Sequence, residues 1–90
     1  MTTIEIEKLI EANDFDAIDQ IYKDHKDPQG EVKIEDWDRD FAVIKKLSDT
    51  KYKYVRTSIK WAYNEKEAGV YSKTIEKLDS GETLVEDVLP

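Results

Sequence analysis

The sequence predicts an all-α fold, a small bundle of four to five helices forming one acidic domain over residues 1–90. Three observations carry that expectation. Three segments before residue 48 place apolar residues at three- and four-residue spacing behind cap-forming residues. The stretch WAYNEKEA at 61–68 is rich in helix formers and runs into Gly69 as a stop. A third run, SKTIEKLDSG at 72–81, opens on a capping Ser72 and closes on Gly81 in the same manner. Ninety residues without a compositional seam are one domain, and 39% hydrophobic content with two Trp, five Tyr and two Phe marks a folded chain.

Thr2 and Glu5 have the spacing of a capping box, and Ile6, Leu9 and Ile10 follow at helical intervals, which predicts helix one over 3–12. Asn13 and Asp14 are cap residues for helix two, 15–25, where Phe15, Ile18, Ile21 and Tyr22 form a stripe and Lys23, His25 and Lys26 sit where the dipole favours cations. Asp27, Pro28, Gln29 and Gly30 are turn chemistry. Trp37, Phe41, Ile44 and Leu47 then repeat at four, three and three, with acids in the first turn and Lys45 and Lys46 in the last, predicting helix three over 35–47. The expected core is Ile6, Leu9, Ile10, Ile18, Ile21, Trp37, Phe41, Ile44 and Leu47.

Two periods compete from residue 52 onward. As a strand, Val55, Thr57, Ile59, Trp61 and Tyr63 alternate with Arg56, Ser58, Lys60 and Asn64, and the β-branched and aromatic content agrees. As a helix, Tyr52, Val55, Ile59, Ala62 and Tyr63 form one stripe with Tyr54 and Trp61 opposite, although basic residues at its start and acidic ones at its end oppose the macrodipole. The helical period is preferred because the following SKTIEKLDSG segment then caps in register. The alternative is an α+β chain of three helices followed by an antiparallel hairpin at about 52–78. The tail ETLVEDVLP reads as weakly helical.

The absences narrow the chemistry. Without cysteine there is no disulfide, thiolate zinc site or thiol nucleophile, which fits a reducing cytoplasmic setting. The N-terminal residues hold no apolar run suited to a secretory signal or a membrane anchor. A lone His25 offers no triad or His-based metal site, and three scattered glycines build no phosphate loop. No catalytic residue, metal ligand or cofactor is assigned, and a non-enzymatic role is expected.

Charge is the informative signal. Net charge is −7, and it divides unevenly: residues 1–50 carry −7, residues 51–63 carry +4 with no acid, and residues 64–90 carry −4. Attraction to nucleic acid or an anionic membrane is therefore disfavoured, and a basic partner is favoured. Carboxylates three or four residues apart on a helix lie roughly 5–6 Å from each other, a spacing that can imitate a row of phosphates. Such a row would compete for Lys/Arg grooves, and the candidate residues are Asp16, Asp19, Glu31, Glu35, Asp36, Asp38 and Asp40. The opposing reading is a solvated helix face that only keeps the protein dispersed. Tyr54, Arg56 and Trp61, inside the basic segment, have the composition of a contact hot spot, for a partner or for a homodimer that sets the +4 segment against the acidic helices of a second copy. Their plain reading is core aromatics and an internal cation.

Residues 25–36, HKDPQGEVKIED, faintly resemble an EF-hand loop, with Asp27, Gly30 and Asp36 at ligand or turn positions but His25 in place of the first acid. An ion-binding module is thus a minor alternative, and an assembly subunit packing through helix faces is the main one. By size, charge, lack of cysteine and a Lys-over-Arg, Ile- and Tyr-rich composition, the chain resembles, as a class, the small acidic inhibitors that bacteriophages direct at host nucleases, among them anti-restriction, glycosylase-inhibitor and anti-CRISPR proteins. That resemblance implies a non-catalytic inhibitor whose acidic surface mimics nucleic acid before a basic, nucleic-acid-binding enzyme, and it carries over no individual residue.

Overall fold

A computed structural model describes residues 2–35, 41–62 and 65–88. Two helices, α1 (Thr3–Glu11) and α2 (Phe15–His25), precede five strands, β1 (Glu31–Glu35), β2 (Phe41–Ser48), β3 (Lys51–Ala62), β4 (Glu65–Lys77) and β5 (Thr83–Asp87). The strands form one antiparallel meander in sequence order, with both helices on one face, so the chain is α+β and not an all-α bundle.

The helices start where their caps dictate. The Thr2 hydroxyl accepts the Glu5 N–H at 3.2 Å while the Glu5 carboxylate accepts the Thr2 N–H, a complete capping box. Asp14 accepts the Ala17 N–H at 3.1 Å to open α2, and Asn13 takes φ 56° to reverse the chain between the helices. Each helix spends its apolar stripe on the sheet: Ile6 and Ile10 from α1, Phe15, Ile18 and Tyr22 from α2. Gly30, at φ 80°, turns the chain out of α2 into β1, and its carbonyl accepts the Tyr22 hydroxyl at 2.8 Å.

Among the described residues helix three is replaced by strand, at Glu35 and at 41–47, and parity explains why. In a strand only alternate residues face the core. Val32 and Ile34 of β1 pair with Ile44 and Ala42 of β2, and all four are buried. The helical stripe would instead have selected Phe41 and Leu47, which are 43% and 52% exposed. The expected core therefore loses Phe41 and Leu47, keeps Ile6, Ile10, Ile18 and Ile44 as buried, and keeps Leu9 and Ile21 as partly buried flanks. Trp37 lies outside the described residues.

The preferred helix at 52–69 is likewise a strand pair: Lys51↔Glu76 through Ala62↔Glu65 form a continuous ladder between β3 and β4. Residues 72–77 belong to β4 and residues 83–87 to β5, so neither the expected helix over SKTIEKLDSG nor the helical tail forms among the described residues. The hairpin alternative at 52–78 matches this ladder but fails with its third helix. Tyr52 and Tyr54 of β3 and Ile75 of β4 complete the core under the helices. Fully burying a side chain such as Ile44 or Ile18 contributes about 1.5–3 kcal/mol.

Candidate functional site

Tyr52, Tyr54 and Arg56 of β3 face the helices, and the two tyrosines carry their hydroxyls to helix carboxylates. The Tyr52 hydroxyl donates to Asp19 of α2, which also pairs with Lys23 at 2.7 Å. Burial pushes the Asp19 carboxyl up, yet the hydrogen bonds from Lys23 and Tyr52 outweigh it and hold the group below its ordinary 3.8. The Tyr54 hydroxyl donates to Glu7 Oε2 of α1 at 3.0 Å, and Arg56 Nη1 donates to both Glu7 oxygens at 3.0 Å. Burial, then the Glu7 charge and hydrogen bond, pushes the Tyr54 hydroxyl well above the ordinary tyrosine range. Beside this triad lies an open cleft of about 210 Å³ lined by Ile4, Glu7, Lys8, Glu11 and Arg56. Both oxygens of its deepest carboxylate, Glu7, are engaged by donors, which makes Glu7 a fixed anion tying α1 to the sheet.

The predicted contact residues separate under this geometry. Tyr54 is 1% exposed and Arg56 is ion-paired to Glu7 of its own chain, so neither presents the free contact surface expected of them. Trp61 stands opposite Lys66 in the β3–β4 ladder; the contact expected of its side chain lies outside the described residues. Among the acids, Asp16 is exposed and reaches Lys77 of β4 at 3.1 Å, whereas Asp19 is drawn inward. Glu31 is half-buried opposite Lys45, and Glu35 is exposed opposite Phe41. Asp36, Asp38 and Asp40 lie outside the described residues, while Glu35 and residues 41–47 of the expected third helix are strand.

Exposed carboxylates stand in both portions, those of the sheet portion among the described residues being Glu35, Asp49, Asp79, Glu82, Glu86 and Asp87, but the net charge is uneven. Residues 2–30 hold eight acids against three lysines, −5 of the chain's −7, and Glu5, Glu11, Asp14, Asp16 and Asp24 of that set are exposed. In the 25–36 turn, Asp27 Oδ1 accepts the N–H groups of Gln29 and Glu31, and a strand follows where an EF-hand would place a helix. Those two backbone hydrogen bonds, that of Glu31 foremost, hold the Asp27 carboxyl below 3.8. Among the described residues no group of three or more His, Asp or Glu is placed to hold a metal ion, and no helix is long and apolar enough to cross a membrane.

Sequence reasoning missed Glu7 as an internal anion. Its signal was position: Glu7 follows the buried Ile6 and precedes Ile10 by one turn, at the margin of the apolar stripe. Compared with known proteins, the chain matches no family model, no curated protein and no solved structure.

Proposed function

We propose that this protein is a non-catalytic binding protein that offers the acidic outer surface of its two helices to a basic, nucleic-acid-binding partner. The observation that carries this reading is the charge partition: the helical layer holds −5 while the sheet portion, residues 31–90, holds −2. The exposed carboxylates of α1 and α2 stand on helices braced against a sheet, so they meet a partner without first being ordered. Such charges act mainly on the association rate and on exclusion of wrong partners, and they compete with phosphates for the same Lys/Arg groups. Assembly through apolar helix faces finds less support, because both apolar stripes are already spent on the sheet.

The test is capture of basic proteins from a bacterial lysate on the immobilised chain, followed by elution with duplex DNA and with a salt gradient. A partner displaced by DNA, and bound at a steeply salt-dependent rate that drops for the Glu11→Gln, Asp16→Asn, Asp24→Asn variant, supports the reading. A partner that DNA does not displace, or whose association is indifferent to salt and to that variant, overturns it.

A further inference from the structure

Strands β3 and β4 outrun the sheet they belong to. β2 pairs with β3 only over Lys51–Thr57 and β5 pairs with β4 only over Lys73–Lys77. From Ser58↔Gly69 to Ala62↔Glu65 the ladder is a two-stranded ribbon with no third strand among the described residues, in a molecule 49 × 26 × 20 Å in extent. A two-stranded ribbon is marginal in water by itself, and an open strand edge is a template for another strand.

The free edges are not equivalent. β1 (EVKIE) and β5 (TLVED) are five residues long with charges at three and two positions, the usual protection of an edge. The free edge of β4, residues 65–71 (EKEAGVY), is longer, contains no proline, and ends in the uncharged run Ala68–Tyr71. Two copies of one edge that meet antiparallel about a two-fold axis pair symmetrically, so full use of 65–71 places the axis at Ala68. Gly69 then stands opposite Glu67 of the second copy, Val70 opposite Lys66 and Tyr71 opposite Glu65, with no like charges directly opposed. The same operation on the free edge of β3, 58–62, centres on Lys60 and sets lysine against lysine.

We infer that the chain forms a two-fold dimer through the β4 edge over residues 65–71, in which two ribbons join into one four-stranded antiparallel sheet. The paired edge is roughly 24 Å long at 3.4 Å per residue. The dimer leaves the helical layer uncovered and stands or falls independently of the proposed acidic surface.

Sedimentation equilibrium of the full chain, read with hydrogen exchange at residues 65–71, tests it. The expected result is a dimer at about 100 μM whose dissociation constant rises roughly tenfold in Val70→Lys, which opposes lysine to Lys66 twice. The double variant Lys66→Glu, Val70→Lys places opposite charges at both positions and is expected to restore the dimer, which separates a lost interface from a misfolded chain. Protection at 65–71 should fall on dilution. A monomer at all concentrations, a dimer indifferent to Val70→Lys, a double variant no tighter than the single one, or growth into open-ended oligomers would each overturn the inference.

Discussion

Replacing Glu7 by Ala removes the carboxylate that Tyr54 and Arg56 share. Removing one member of a fully buried ion pair costs about 3–5 kcal/mol, whereas an exposed pair contributes about 0–1 kcal/mol. The Glu7 and Arg56 side chains are 14% and 24% exposed, nearer the buried limit with some access to water. The expected cost of Glu7→Ala is therefore about 2–3 kcal/mol, and that of Tyr54→Phe, which deletes one hydroxyl donor to a charged acceptor, about 1.5 kcal/mol. The two share a hydrogen bond, so the double variant should lose less than the sum by at least ~0.5 kcal/mol. Urea unfolding at 25 °C measures this as a shift of midpoint at constant slope. A Glu7→Ala cost below about 1 kcal/mol, or strict additivity with Tyr54→Phe, would refute the role of Glu7 as the internal anion joining α1 to the sheet.

Two further predictions use the same unfolding assay. Ile44→Ala should cost about 2–5 kcal/mol and Phe41→Ala less than about 1 kcal/mol, since Ile44 is fully buried and Phe41 is 43% exposed; the reverse order would restore the helical stripe. On pH, burial and then the Asp19 and Glu7 contacts hold the Tyr52 and Tyr54 hydroxyls above the ordinary 10.0, so their contribution is whole below pH 10 and is lost as pH rises further; Tyr52→Phe with Tyr54→Phe should flatten that alkaline loss. Asp19 is shifted the other way, so its contribution is present above pH 3.8 and is lost on acidification below it, and Asp19→Asn should blunt the acid loss.

Local signals were legible where local interactions decide the outcome. The Thr2–Glu5 box and the Asp14 cap satisfy orphan helix N–H groups within three residues, and α1 and α2 begin where those residues place them. The residues after Gly30 answer to partners far along the chain. Phe41, Ile44 and Leu47 fit a helical stripe, but β-pairing buries Ile44 with Val32, Ile34 and Ala42 and turns Phe41 and Leu47 to solvent. At 51–62 one clue was correct: charges that oppose a helix dipole are neutral to a strand, and β3 forms there. Exposure of individual carboxylates was legible only in part: Glu7 borders the apolar stripe of α1, but the engagement of Glu7 and Asp19 depends on the Tyr52, Tyr54 and Arg56 donors that the sheet places beneath them.

The central claim, that the helical layer is the binding surface for cations, is tested most directly by titrating an arginine-rich peptide into the isotopically labelled chain and following backbone amide shifts at low and at physiological salt. The account predicts salt-sensitive shifts concentrated at Glu5, Glu11, Asp14, Asp16 and Asp24 and their neighbours. Shifts centred on strands β1 to β5, or spread evenly over the acids of both portions, would contradict it.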